Sequence, residues 1–399
     1  MQKKMIRAPQ RFRNPFEYGR ELAPEELVDR VEEVRVATNT LLEAGKLFLI
    51  GPRRYGKTSI LHVAARRATE SDGAVVLRYD AEAYPRLELL AQRLVADAAK
   101  ALLGTVERAT ERAGQFFGRL RPHLTYNTTD GTFSATLNMA DRPSGGDVPV
   151  ITDALDGIER LASTVERPVA VIIDEFQQLV ESGGREAEGQ LRSVVQQHAH
   201  VGYIFAGSKT HLLATMTGDP TRPLYNLGQR RFLGPIPRED FRAFLERGFR
   251  ELMPSVDAAA IDRVLEVAEE VPYNVQMLAH TCWDVLRQLP PTERHFTPAA
   301  VDTAVEQIAR WQDGVYTQLW MQLTALQQTA LMAFVRERGT ALLSAAIARR
   351  YGVSTPSLQT ALEALRTKSV LRDEESFGTI RLKLVDPFFG AWVRLFAGV

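Results

Sequence analysis

The sequence contains little cysteine, little lysine and no long apolar run. Its one cysteine, Cys282, cannot form an intramolecular disulfide or a multi-cysteine metal site, which favours a reducing compartment and a buried position on a helix. No segment approaches the ~18 apolar residues of a membrane span, and the basic start of the chain lacks the apolar stretch of a secretory signal. We therefore expect a soluble, cytoplasmic protein without a membrane partner.

Net charge is also absent. The 49 basic residues balance the 49 acidic ones, so global charge gives no argument that the whole molecule coats nucleic acid or a membrane. Hydrophobic residues make up 45% and charged residues 25%, a globular balance that excludes a disordered chain. At about 150 residues per domain, the length of 399 residues predicts two or three domains.

Short apolar segments alternate with amphipathic ones through the first part of the chain, which predicts an α/β fold with a parallel sheet. The predicted strands are 46–50, 74–80, 169–174 and 201–206, and the predicted helices are 24–43, 57–69 and 87–103. Two β-type runs around Thr129-Asp130-Gly131 predict an inserted hairpin near 123–140, followed by a loop at 142–146.

The later part of the chain is predicted to be helical. Helices are expected at 238–252, 257–269, 273–288 and 298–311, which would form a lid or second domain. Three more helices and a β-hairpin then follow in the order of a winged helix-turn-helix. Their predicted bounds are 325–338, 344–351, 355–367, 370–372 and 379–385, with a turn at 373–378.

The most specific motif is a phosphate-binding loop. It consists of Gly51, Pro52, Arg53, Arg54, Tyr55, Gly56, Lys57 and Thr58, a full match to G-x-x-x-x-G-K-[ST] between a predicted strand and a predicted helix. Its glycines let backbone N–H groups point at phosphate oxygens. We expect these residues and Ser59 to bind ATP, with Lys57 bridging the β- and γ-phosphates and Thr58 supplying a hydroxyl ligand to Mg²⁺.

A pair of carboxylates follows the predicted strand 169–174. Asp174 ends that strand at the carboxyl edge of the sheet, where it can hold Mg²⁺ through water. Glu175 can orient and deprotonate an attacking water. An apolar run before Asp-Glu is weak evidence alone, since a solvated strand end has the same pattern, but the phosphate loop earlier in the chain favours the functional interpretation.

Further polar residues are candidates for catalysis. Ser208, after strand 201–206, can sense the γ-phosphate or align the water, or can be an ordinary turn residue. Arg230 and Arg231, ahead of Arg222, are the candidates for a charge-neutralising arginine finger, although arginines at a domain edge are more often surface residues. Arg53 and Arg54 could contact nucleotide, a neighbouring molecule or the lid.

These segments together resemble a known family. Asn14 to Gly19, Leu27 to Arg30 with Glu33, GPRRYGKTS, IIDEFQ, FAGS and Val385 to Phe388 are similar to the archaeal-type ATPases, in the STAND branch of the AAA+-like P-loop NTPases. The resemblance implies an ATP site, a helical lid, a C-terminal winged helix and a lid proline that contacts the nucleotide. Pro272 is the positional candidate, with Glu270 where that family has glycine. The expected domains are a P-loop ATPase domain at 1–235, the lid at 236–320 and the winged helix at 321–399.

Two functions remain open at this point. In the first, Mg²⁺-dependent ATP hydrolysis drives a conformational or assembly switch on double-stranded DNA. The DNA contacts would then come from Arg349, Arg350, Ser357, Gln359, Arg366 and Lys368. In the second, a STAND-type signalling or regulatory ATPase uses the lid and the winged helix for protein partners. Ten basic and six acidic residues from Thr324 onward give only a mild positive excess, and a homo-oligomer is compatible with both functions.

Overall fold

The computed structural model describes residues 13–84, 86–103, 113, 115–117, 120, 122–127, 132–137, 148–181, 184–376 and 379–397. These residues form two compact units. The first unit spans Gly19–Pro235, and the second combines the described residues up to Tyr18 with those from Ile236 onward.

A parallel five-stranded sheet lies at the centre of the first unit, which confirms the predicted fold class. The strands of this unit are β1 (Lys46–Ile50), β2 (Val75–Asp80), β3 (Pro122–Asn127), β4 (Thr132–Leu137), β5 (Val169–Asp174), β6 (Val201–Gly207) and β7 (Gln229–Phe232). The order in the sheet is β2-β5-β6-β1-β7. Every residue of β5 and β6 is buried, as expected for strands covered by helices on both faces.

Seven α-helices accompany these strands in the described part of the first unit. They are α1 (Val31–Leu42), α2 (Lys57–Asp72), α3 (Leu87–Leu103), α4 (Val148–Ala162), α5 (Gln177–Glu181), α6 (Gly184–Val195) and α7 (Thr210–Gly218). Helices α1 and α2 pack against one face of the sheet, and α3, α4 and α6 contribute to the core on the other. The predicted helix 24–43 is shorter than expected because Asp29 and Arg30 have left-handed backbones, so α1 begins at Val31.

The predicted hairpin is present as the antiparallel pair β3 and β4. Leu124 and Ala135, one from each strand, are buried in the same core as α3 and α4, which attaches the hairpin to that helical layer. The turn at 128–131 and the predicted loop at 142–146 lie outside the described residues.

Strand β7 differs from the prediction, which ends the sheet with four strands. Its sequence, Gln-Arg-Arg-Phe, has no apolar run, because β7 is an edge strand with mostly exposed side chains. It pairs in parallel with β1, and the N–H of Leu233 extends this pairing by donating to the carbonyl oxygen of Ile50 at 2.7 Å. Main-chain pairing therefore forms this strand without the hydrophobic pattern that identifies the buried ones.

The second unit contains the predicted helices followed by a winged helix-turn-helix. Its elements are α8 (Arg238–Arg250), α9 (Ala258–Val267), α10 (Pro272–Arg287), α11 (Pro298–Trp311), α12 (Asp313–Met321), α13 (Ala325–Arg336), α14 (Ala345–Arg350), α15 (Thr355–Thr367), β8 (Leu371–Ser376), β9 (Thr379–Leu384) and α16 (Pro387–Phe396). The order of α13 to β9 matches the predicted winged helix, although 373–376 belong to β8 rather than to a turn.

Helices α12 and α16 were not expected from the sequence pattern. Asp386 caps α16 by accepting a hydrogen bond from the N–H of Phe388 at 3.0 Å, and Pro387 occupies its first turn. Helix α16 packs against both α11 and α13, so helices of the predicted lid and the predicted winged helix share one interior. No helix within the described ranges is both long and apolar enough to cross a membrane.

Candidate functional site

The phosphate-binding loop leaves β1 and enters α2 as predicted. The N–H of Gly51 donates to the carbonyl oxygen of Gly207 at 3.3 Å, and a Cβ on Gly51 would lie 2.7 Å from the Cβ of Leu233, so this position needs glycine. Arg54 and Gly56 have left-handed backbones, with φ of 69° and 87°, and α2 begins immediately afterwards. The loop therefore ends at a helix N-terminus, an arrangement that favours bound anions.

Lys57 occupies a buried position at the start of α2. Its side chain is 5% exposed, and its Nζ donates to the carbonyl oxygens of Gly51 at 2.9 Å and Pro52 at 3.0 Å. Burial lowers the pKa of Lys57, while the negative charges of Glu175 and Asp174 act in the opposite direction. The predicted phosphate-binding cation and the predicted carboxylates thus lie within electrostatic reach of each other.

Thr58 and Asp174 meet directly, although they are 116 residues apart in sequence. The Thr58 hydroxyl donates to Oδ2 of Asp174 at 2.9 Å. Asp80, the last residue of β2, is the register partner of Asp174. Burial and the neighbouring negative charges of Asp174 and Glu175 raise the pKa of Asp80. Asp80 is not among the residues that the sequence predicts for the site, but its place at the end of a predicted strand is a signal that could have identified it.

The oxygen atoms of Thr58 and Asp174 fit a Mg²⁺ ion, which prefers oxygen ligands and keeps several waters. In the described part of the chain, no group of three or more His, Cys, Asp or Glu side chains has a metal-binding arrangement. A divalent cation at this edge would therefore depend on Thr58, Asp174, water and substrate oxygens rather than on a complete protein cage.

Glu175 is held by two hydrogen-bond donors. The Ser208 hydroxyl donates to Oε2 of Glu175 at 2.8 Å, and the side-chain amide of Gln177 donates to the same oxygen. Gln177 is 1% exposed, so its position is fixed by packing. Glu175 itself has φ of 47°, a conformation that non-glycine residues seldom adopt and that often marks functional sites. Gln177 is within the IIDEFQ segment, yet only the structure identifies its contact with Glu175.

Other predicted nucleotide-binding residues have contacts of their own. Arg53 lies in the loop with an exposed side chain that forms an ion pair with Glu82 at 3.2 Å. The Ser59 hydroxyl accepts a hydrogen bond from the N–H of Leu22 at 3.4 Å. Tyr55 lies in the loop between the two left-handed residues. None of these contacts tests a nucleotide-binding role.

Pro272 belongs to the second unit, where it is the first residue of α10. Glu269 and Glu270 precede it with left-handed backbones, at φ of 53° and 57°. Glycine adopts this conformation without strain, which accounts physically for the glycine that the family resemblance implies at position 270. Glu270 instead forms an ion pair with Arg238.

Among the described residues, the candidate arginine fingers on β7 have no hydrogen bond or ion pair to the loop or to the carboxylates. Arg230 and Arg231 lie on β7 in register with Phe48 and Leu49, before the carboxyl end of β1. Arg231 lies 3.6 Å from Glu32. A finger role for Arg230 or Arg231 remains a prediction, and the structure identifies a different use for Arg222.

Arg222 forms a bidentate pair with the carboxylate of Glu188. Its Nε donates to Oε2 at 3.0 Å, and its Nη2 donates to Oε1. The Glu188 side chain is only 1% exposed. A buried carboxylate needs such a partner, so this contact gives Arg222 a structural task.

Most of the candidate DNA-contacting residues already have partners within the second unit. Arg350 pairs with Glu337 at 2.6 Å, and Arg366 pairs with Glu363 at 2.7 Å and with Asp373. Lys368 donates to the carbonyl oxygen of Gln322 at 3.1 Å. The N–H of Ser357 donates to Ser354 Oγ at 3.2 Å, which caps the start of α15. Gln359 and Arg349 are exposed.

Comparison with solved structures identifies the fold. No protein-family model matches this chain, and no curated protein does. The chain is similar to a Walker-type ATPase of Pyrococcus abyssi at 20% sequence identity and a TM-score of 0.55, over 96% of this chain and 100% of the other. This chain has the Walker-type ATPase fold.

Two further similar structures have lower TM-scores. The ORC1 protein of Aeropyrum pernix, in complex with DNA, is 13% identical, with a TM-score of 0.48 over 92% of this chain and 93% of that one. The RuvB Holliday junction branch migration motor of Thermotoga maritima is 15% identical, with a TM-score of 0.41 over 90% of this chain and 94% of that one.

The strand order of the Walker-type fold explains how the candidate site is assembled. The phosphate loop follows β1, Asp174 ends β5 with Glu175 directly after it, and β6 lies between these two strands. Ser208 comes directly after β6, which is why its hydroxyl reaches Glu175. The carboxyl ends of three adjacent parallel strands therefore bring the loop, the carboxylates and the serine to one edge.

Proposed function

We propose that this protein binds ATP with Mg²⁺ and hydrolyses it, and that the hydrolysis drives a conformational or assembly switch. The observation that carries the proposal is the hydrogen bond between Thr58 and Asp174 beside the buried Lys57. These are the hydroxyl, carboxylate and cation that a phosphate loop needs for a nucleotide and its metal. The fold of the chain supports the same activity.

Each side chain has a distinct task in this proposal. The loop N–H groups and Lys57 bind and orient the phosphates. Thr58 and Asp174 hold Mg²⁺, which neutralises phosphate charge when bound. Glu175 accepts the proton of the attacking water, and the donors Ser208 and Gln177 fix the direction of its carboxylate.

Two substitutions test the assignment of binding and chemistry. Lys57→Ala should abolish nucleotide binding or turnover, because it removes the cation that faces the phosphates. Glu175→Gln should retain ATP and lose hydrolysis, because an amide cannot accept the proton. Equilibrium binding of a fluorescent ATP analogue and phosphate release measure the two effects separately. Lys100→Ala and Glu70→Gln, at exposed positions of α3 and α2, are matched controls. Unchanged phosphate release in Glu175→Gln would refute the assigned base.

We further propose double-stranded DNA as the partner on which this switch acts. The observation in favour is the winged helix-turn-helix, whose helix α15 exposes Gln359 and Thr360 in its first half. Arg350, Arg366 and Lys368 must exchange their present partners to reach phosphates. Arg349, which has no salt bridge within the described residues, and Gln359 should therefore contribute most.

Filter binding of duplex DNA at two salt concentrations tests this partner. Binding should weaken with salt, and Arg349→Gln should reduce it more than Arg350→Gln. Absence of binding at low salt would favour the alternative, a regulatory ATPase whose lid and winged helix contact proteins. A mass measurement with a non-hydrolysable ATP analogue, with and without duplex DNA, reports homo-oligomer formation and partner together.

A further inference from the structure

A large cavity opens to solvent on the second unit. Its volume is about 1490 Å³, and its walls come from α9, α11, α13, α15, β9, α16 and the segment 338–344. Sites for small molecules typically measure ~300–1,000 Å³, so this cavity is large enough for one. Its lining includes none of the residues assigned to the ATP site, Pro272 among them.

One part of the cavity wall is apolar. Leu343 and Leu395 line it with 46% and 41% of their surface exposed, together with the buried side chains of Phe334, Leu342 and Leu384. Such a surface gains free energy when an apolar group covers it, by about 25 cal/mol per Å². The wall can therefore accept the apolar body of a ligand.

The charged part of the wall contains more cations than its own carboxylates neutralise. Arg263 is held by Asp302 at 2.8 Å and by Glu266 at 3.1 Å. Lys383 lies 3.6 Å from Glu269. Three other lining arginines have no salt bridge and no side-chain hydrogen bond to any residue that the structure describes: Arg338, Arg381 and Arg394. The same is true of the lining carboxylate of Glu306.

Arg394 shows the effect of this excess most clearly. Burial lowers the pKa of its guanidinium, and the positive charges of Arg263 and Arg338 lower it further. Asp302 acts in the opposite direction, but it already accepts two hydrogen bonds from Arg263. Arg338 and Arg394 are both exposed to solvent, so their guanidinium N–H groups can reach an anion that enters the cavity.

We propose that this cavity binds a small organic anion that carries a phosphate or carboxylate group on an apolar body. The oxyanion lies between Arg338 and Arg394, whose planar guanidiniums present paired N–H donors suited to either group. The apolar body lies against Leu343 and Leu395. The cavity is shared by helices of the lid and the winged helix, so bound ligand stabilises their packing. The proposal is independent of the ATPase activity.

Isothermal titration calorimetry of the full chain tests the site with three probes. The probes are 1-naphthyl phosphate, 1-naphthoate and 1-naphthol. They share the naphthalene ring, and they carry a phosphate, a carboxylate and an uncharged hydroxyl, respectively. At least one anion should bind, and 1-naphthol should bind at least tenfold more weakly. Arg338→Gln and Arg394→Gln should each weaken anion binding about tenfold, since one hydrogen bond to a charged group is lost. Arg67→Gln, an exposed arginine on α2 outside the cavity, should change nothing.

The thermal midpoint distinguishes a ligand role of Arg394 from a structural one. Arg394→Gln should leave the midpoint unchanged or raise it, because repulsion with Arg263 and Arg338 is removed. If Arg394 served only to hold the fold, the midpoint would fall. Equal anion affinity in the Arg338→Gln/Arg394→Gln double variant would overturn the proposal, and so would equal affinity for 1-naphthol. Binding of an acidic, leucine-containing peptide without binding of either naphthyl anion would also overturn it, in favour of a protein partner.

Discussion

Replacing Arg222 with alanine separates a structural arginine from a catalytic one. The substitution removes the partner of Glu188, whose side chain is 1% exposed, while Arg222 itself is 22% exposed. Removing one member of a buried ion pair costs about 3–5 kcal/mol, because the remaining charge is left in a poorly solvated place. Since Arg222 is partly solvated, we expect a loss near the lower limit, about 3 kcal/mol.

The expected loss is large enough to measure by heating. For domains of 150–250 residues, 1 kcal/mol corresponds to about 2–4 °C, so Arg222→Ala should lower the unfolding midpoint of the first unit by about 6–12 °C. Glu188→Gln should cost less, because a neutral amide remains in the buried position and the guanidinium can be hydrated. Far-UV circular dichroism follows the midpoint, and phosphate release at 25 °C follows turnover.

The unfolding midpoint and the rate of phosphate release distinguish a structural role of Arg222 from a catalytic one. With the structural role, the variant that is folded at 25 °C hydrolyses ATP at the wild-type rate. An unchanged midpoint combined with a loss of turnover of 10³-fold or more, the size expected for an arginine finger, would refute this reasoning and return Arg222 to the catalytic candidates.

Three further perturbations have defined outcomes. Gly202→Ala should lower the unfolding midpoint, because the new Cβ would lie 2.6 Å from the carbonyl oxygen of Thr40. Gly189→Ala should instead raise the free energy of unfolding by about 0.5–1 kcal/mol, because Gly189 lies within α6 with open space around its Cα. Burial raises the pKa of Glu269, so its charged form destabilises the fold. Glu269→Gln should therefore be as stable as the wild type in acid and more stable than the wild type above the ordinary glutamate pKa. Urea unfolding over a range of pH values measures this difference. Burial also raises the pKa of the Cys282 thiol, so a thiol reagent at pH 8 should label it only after unfolding; rapid labelling of native protein would contradict the structure.

The fold class and the phosphate loop could be predicted because their signals are local. A loop that matches eight consecutive residues carries its own geometry, and buried strands such as β5 show an apolar run. Strand β7 has no such run, since its formation depends on pairing with β1. Helix α16 is not predicted, because its short and mostly apolar sequence, PFFGAWVRLF, is equally compatible with a buried strand.

The finer parts of the candidate site depend on contacts between distant residues. Neither the hydrogen bond of Gln177 to Glu175 nor the pair of Arg222 with Glu188 follows from residue type. Both contacts depend on the strand order and on which side chains are buried. The periodicity of the sequence determines neither the strand order nor the burial of these polar side chains. For this reason residue type alone left Arg222 available as a finger, whereas the structure gives it a partner.

Because β6 lies between β1 and β5, the candidate site can form only after β6 has been synthesised. A nascent chain that has emerged only as far as residue 195 already contains the phosphate loop, Asp174 and Glu175, but not the strand that separates β1 from β5 in the sheet. The bond between Thr58 and Asp174 requires that spacing, so it forms only after Val201–Gly207 has been synthesised and inserted. Nascent chains halted before this strand should therefore be unable to hydrolyse ATP during synthesis.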